Sequence, residues 1–172
     1  MRLFFGFGLS ASEAIALADW RDRCTHCDGR AVPAANFHVT LGFLGELKPN
    51  RLDALVASAD RVLDRAAISN HAMVLDQVGY WPRPGIFWTG PNSWPDSVTQ
   101  LAAALRDLAV RFGARRERAA FQPHVTLFRR CQAPPPAPTE NPQITLAAES
   151  VSLFESRQGR EGVSYHPLTE WH

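Results

Sequence analysis

The string Phe37-His38-Val39-Thr40-Leu41 returns, changed only in its first residue, as Pro123-His124-Val125-Thr126-Leu127, half of the 172-residue chain further on. The elements around each copy follow one order. An apolar strand comes first (Leu3-Phe4-Phe5, then Ile86-Phe87-Trp88), next a helix, then a strand carrying the His-x-Thr triplet. A repeat shared in element order, and not only in letters, predicts two pseudo-symmetric lobes.

The periodicity fills in this frame. Residues 2–8 read as a strand, and Ser10 with Glu13 as a capping box opening a helix over 11–22. Over 36–44 strict alternation sends Phe37, Val39, Leu41 and Phe43 one way and His38, Thr40 and Gly42 the other. Asn50 caps a predicted helix. A strand at 72–77, a loop at 79–85 and a strand at 86–90 follow. A second amphipathic helix aligns Val98, Leu101, Ala102, Leu105, Leu108 and Ala109 on one face and stops at Gly113. The second triplet lies on a strand over 123–129. The prolines of 133–142 forbid helix and central strand there, and strands resume at 143–154 and 163–169.

The expected fold class is therefore α+β: two lobes, each an antiparallel-rich sheet with outer helices, and a cleft between them. Residues 1–172 are read as one two-lobed domain, with strand–helix–strand units at about 2–43 and 85–129.

Residues i and i+2 of a strand share a face. His38 therefore projects with Thr40, and His124 with Thr126. A pseudo-twofold axis sets the two pairs across one small space. Imidazole has an ordinary pKa near 6.5, so at neutral pH one copy can serve as base and the other as acid. Placed on opposite sides of a phosphorus, they allow in-line displacement, and the threonine hydroxyls bond the non-bridging oxygens. No metal or other cofactor is required. A lone strand histidine is ordinarily a polar face residue; two matching triplets on matching strands are not explained that way.

Other features bound the reading. A net charge of +1 excludes a bulk electrostatic grip on long nucleic acid but not a local anionic ligand. Six arginines between 111 and 130 stand beside the second triplet, either guiding an anionic ligand or simply solvated. Trp81, Tyr80, Phe5 and Phe7 are candidates to stack a terminal base. No run is long enough for a membrane helix, and the apolar start reads as a strand and not an export signal. Three cysteines make no disulfide framework, which fits a cytoplasmic location. Cys24, His26 and Cys27 lack a second Cys/His pair at zinc spacing, and Cys131 stands isolated. His26, His71, His166 and His172 lack a matching threonine.

Four segments together resemble the two-histidine phosphoesterases, and within them the RNA 2′,3′-cyclic phosphodiesterase (2′-5′ RNA ligase) family. They are "RLFFGF", "NFHVTLGFLGEL", "FQPHVTLFR" and "SLFESRQGREGVSYHPL". The resemblance implies opening of a 2′,3′-cyclic phosphate at an RNA end, or of a small cyclic nucleotide, to a 2′-phosphomonoester. It implies His38 as proton donor, His124 as proton acceptor, Thr40 and Thr126 on the phosphate, and Arg129 as a further phosphate contact. Strict alternation instead puts Arg130 on the face of His124, a conflict that a bulge after Phe128 would remove. A monomer is expected. Two rival readings share the site: 2′-5′ RNA ligation, and an RNA-end binding module without turnover.

Overall fold

The computed structural model describes residues 1–66 and 70–172. Among them are ten strands and three α-helices. The strands are β1 (Arg2–Gly8), β2 (Arg30–Ala31), β3 (His38–Glu46), β4 (Met73–Leu75), β5 (Gln77–Trp81), β6 (Ile86–Gly90), β7 (Val125–Arg129), β8 (Ile144–Leu146), β9 (Val151–Gly159) and β10 (Gly162–Trp171). The helices are α1 (Ala11–Cys24), α2 (Leu52–Leu63) and α3 (Asp96–Arg111).

Two four-stranded antiparallel sheets, ordered β10-β9-β1-β3 and β2-β7-β6-β5, form the lobes, and β4 pairs with β8 apart from them. The α+β expectation holds. In each sheet an apolar central strand, β1 or β6, pairs with the strand of its own His-x-Thr triplet. The extra strands break the symmetry: β10 adds beyond β9, whereas β2 adds beyond β7.

Local sequence explains most boundaries. The Glu13 N–H donates to Ser10 Oγ (3.2 Å) and the Ser10 N–H to Glu13 Oε2 (2.8 Å), closing the capping box that starts α1. Asn50 does not cap α2. It sits in a 3₁₀ turn, Pro49–Arg51, that leads into the helix. Three residues of the expected 79–85 loop, Gly79, Tyr80 and Trp81, extend β5 instead.

The helices tie the lobes together. α3, which follows β6, packs against β3 of the other sheet, with Gly42 lying on Leu105 and Arg106. Arg21 at the end of α1 is buried at 6% exposure. It donates to the Val32 and Leu127 carbonyls and stacks over Phe37 and Phe128. One continuous apolar core results, including Phe5, Phe7, Leu17, Val39, Leu41, Leu105, Val125 and Leu127. Burying each such side chain contributes about 1.5–3 kcal/mol.

Candidate active site

Both His-x-Thr strands carry a bulge at the same place. In the first pair Gly6 faces Thr40 and Phe5 faces Gly42, so Leu41 is the extra residue. In the second, Trp88 faces Thr126 and Phe87 faces Phe128, so Leu127 is the extra residue. Each bulged leucine comes three residues after its histidine and is fully buried. An added residue reverses the alternation beyond it.

That reversal corrects two sequence readings. Phe43 does not join the core; it turns to the His38 side and is 55% exposed, while Gly42 takes the helix side. Arg129, and not Arg130, shares the face of His124 and Thr126. The bulge that does this lies at Leu127 and not after Phe128. Arg130 has left the strand face altogether, with a left-handed φ of 58°. The Leu127 carbonyl is held by the Val32 N–H at 2.9 Å and the Arg21 guanidinium at 3.4 Å. Arg21 therefore steadies the kink that aims Arg129. A single arginine inside an amphipathic helix gave no signal for this.

The imidazoles are mounted alike. His38 Nδ1 lies 2.7 Å from the Asn36 carbonyl, and His124 Nδ1 lies 2.8 Å from the Gln122 carbonyl. A carbonyl only accepts, so Nδ1 must carry the hydrogen and donate it. This leaves each Nε2 to take up or give a proton. Aromatic rings clamp both. Phe4 and Tyr165 have ring centroids 4.7 Å from that of His38, and Trp81 lies 4.6 Å from His124. Trp88, 6.0 Å from His124, lies flat over Gly79, where a Cβ would come within van der Waals radius of the indole. Thr40 and Thr126 are half-buried beside these rings.

The electrostatics follow from this packing. Burial lowers the pKa of His38 to about 4, helped by the nearby charge of Arg129 and by His124 and opposed by the Asn36 carbonyl. Burial likewise lowers that of His124, again with Arg129 contributing and the Gln122 carbonyl opposing. The positive field of Arg129 thus reaches both histidines. An anion placed among these groups reverses the balance, because it favours the imidazolium form.

The aromatic candidates divide. Phe5 and Phe7 are 0% and 1% exposed and belong to the core, so they are not base-stacking residues. Tyr80 points away from the histidines and donates to the Cys131 carbonyl (3.4 Å). Trp81 is at the site. Phe4, Phe43 and Tyr165 were not singled out by sequence; the two adjacent apolar residues Phe43 and Leu44, which break strict alternation, were the available signal.

Beside Phe43 opens a hollow of about 330 Å³ lined by Arg106, Arg115, Arg116 and Phe121. Within it Arg116 is paired with Asp107 (2.9 Å) and Arg106 with Glu117 (2.9 Å). Among the described residues, neither imidazole belongs to a group of three Asp, Glu, Cys or His donors at ligand distance; the one such group is Cys27, Asp28 and Cys131. Cys131 is therefore not isolated, since its sulfur touches that of Cys27.

Known proteins share this architecture. A family model described as LigT-like phosphoesterase matches residues 8–88 and 90–165. The RNA 2′,3′-cyclic phosphodiesterase of Escherichia coli K12 is 33% identical over 99% of this chain and 95% of its own length. The crystal structure of E. coli LigT complexed with 3′-AMP superposes with a TM-score of 0.82 at 32% identity, covering 99% of this chain and 96% of that one. A Thermus thermophilus protein of known structure gives a TM-score of 0.78 at 26% identity, covering 99% and 97%.

Proposed function

Because this chain belongs to the LigT-like phosphoesterase family, we propose that it hydrolyses RNA 2′,3′-cyclic phosphate ends to 2′-phosphomonoesters, with neither metal nor cofactor. The observation that carries the mechanism is the matched mounting of the two imidazoles, each with Nδ1 tied to a carbonyl and Nε2 left for proton transfer.

In this mechanism the cyclic phosphate binds between the lobes. Arg129, Thr40 and Thr126 bond its non-bridging oxygens, where charge accumulates as phosphorus becomes five-coordinate. His124 Nε2 takes a proton from the attacking water. His38 Nε2, protonated, gives its proton to the departing 3′ oxygen, which leaves the phosphate on the 2′ oxygen. Solvent then returns both groups to their starting states. One chain supplies both histidines, so a monomer suffices. The three thiols, all free, fit a cytoplasmic setting.

The reading is tested with a short RNA ending in a 2′,3′-cyclic phosphate, incubated with the protein in excess chelator. The expected product is the 2′-monophosphate at an undiminished rate. A 3′-monophosphate, or loss of activity restored by a divalent ion, contradicts the reading. Joined RNA ends as the main product would instead support the ligase.

The lowered pKa values set the pH dependence. The productive state needs one imidazole charged and one neutral, and its population peaks between their two pKa values. In the free protein both lie below the ordinary 6.5. The kcat/KM profile is therefore expected to peak below pH 6.5, lower than two unperturbed histidines would give. Bound anionic substrate raises both pKa values, so the falling limb of kcat should lie at higher pH than that of kcat/KM. A kcat/KM maximum above pH 7, with chemistry rate-limiting, contradicts this.

Phe43 stands where Arg129 stands in the other lobe, and we assign it to stacking the terminal base. Replacing Phe43 with alanine is expected to raise KM by roughly 5- to 150-fold, the loss of about 1–3 kcal/mol of stacking, with kcat little changed. An unchanged KM removes that assignment.

A further inference from the structure

The turn between α1 and β2 is folded onto the end of β7. There Cys27 Sγ lies 2.8 Å from Cys131 Sγ, although 104 residues separate them. The backbone holds both sides of the contact. The Cys131 N–H donates to the Gly85 carbonyl (2.9 Å), and the Gln132 N–H donates to Asp28 Oδ1 (3.0 Å). The turn passes so close that a Cβ on Gly29 would sit 2.6 Å from the Arg129 carbonyl and 2.7 Å from the Cys131 sulfur. Neighbouring Arg30 pairs in register with Arg129.

The two thiols are not equivalent. Cys27 is half-exposed, and its sulfur accepts a hydrogen bond from the Gly29 N–H (3.3 Å). Cys131 is 5% exposed, and burial together with its Cys27 neighbour pushes its thiol up to about 12. Cys27 is thus the sulfur a reagent meets first, and Cys131 the proton-bearing thiol behind it. The Asp28 carboxylate lies within 4.8 Å of both sulfurs and repels an anionic oxidant. A small neutral one fits.

We infer that Cys27 and Cys131 form a modification site for a neutral hydroperoxide, which closes them into a disulfide stapling the α1–β2 turn to the end of β7. The Cys27 thiolate attacks the terminal peroxide oxygen and breaks the O–O bond. This gives a sulfenic acid and, after protonation, water or an alcohol. Cys131 sulfur then attacks Cys27 sulfur. The S–S bond forms, the S–O bond breaks, and the departing hydroxide takes the Cys131 proton as water. Two thiols lose two electrons in all, and the peroxide gains them. This step does not depend on the phosphodiesterase reading.

The test treats the reduced full-length protein with about one equivalent of hydrogen peroxide. Mass spectrometry of a non-reduced digest is expected to show one cross-linked peptide pair joining Cys27 to Cys131, lighter by two hydrogens than the two thiol peptides. Denatured thiols fall from three to one. Tm rises by about 5 °C or more, because the bond closes a long loop, and falls back with dithiothreitol. Cys27→Ser, at a half-exposed position, abolishes both cross-link and shift; Cys24→Ser keeps them. Three persisting thiols, a pairing through Cys24, or Cys27 recovered as sulfinic acid beside an unmodified Cys131 would overturn the inference. So would a tightly held zinc ion that blocks the reaction.

Discussion

Replacing either His38 or His124 with alanine lowers kcat by at least about 10², the scale of one general acid or base. The two losses do not add. In the proposed mechanism both groups act on one transition state, and once one proton transfer fails the other has less to assist. Each ring also fills an aromatic box, so thermal unfolding must accompany the kinetics. Phe4 and Tyr165 lose a packing partner with His38, and Trp81 loses one with His124. A variant that melts normally and keeps more than about a third of wild-type kcat contradicts the two-histidine mechanism.

Replacing Arg129 with alanine lowers kcat/KM by about 10- to 100-fold, equivalent to about 1.5–3 kcal/mol for a hydrogen bond to a charged group. Arg129→Lys recovers part of this, since an ammonium restores charge without the planar fork. A second consequence follows from the field. With Arg129 gone, one cause lowering both histidines disappears, and the kcat/KM maximum moves to higher pH. Arg130→Ala is the matched control: its side chain lies off the strand face, and less than about a threefold change is expected. A strong effect at Arg130 and none at Arg129 would restore strict alternation through the second strand.

The comparison of Arg129 with Arg130 shows where sequence stops. Period-two alternation placed His38 with Thr40 and His124 with Thr126, because each pair precedes its bulge. Beyond Leu41 and Leu127 the same rule put Phe43 in the core and Arg130 at the site. A buried leucine reads the same whether it is in register or extra, so the leucines themselves do not mark the shift; the adjacent apolar pair Phe43-Leu44 is the local hint in the first strand. Contacts made only by tertiary pairing were equally illegible. Strand β2 has two residues and no pattern of its own, yet it is the edge that brings Cys27 to Cys131. Arg21 shows the complement: its burial makes sense only once the Leu127 carbonyl is known to need a donor. Elements fixed by local chemistry, such as the Ser10–Glu13 cap, were fully readable.

The proposed mechanism gives the two imidazoles different tasks, and a change of leaving group separates them. The two variants, His38→Ala and His124→Ala, are compared on the cyclic phosphate substrate and on an analogue whose departing oxygen is a stable anion at neutral pH. Such an oxygen needs no proton, while the attacking water still needs a base. His38→Ala is expected to regain most of its lost rate on the analogue, and His124→Ala to stay at least about 10²-fold below wild type. Recovery by His124→Ala with none by His38→Ala would contradict the mechanism and exchange the two roles.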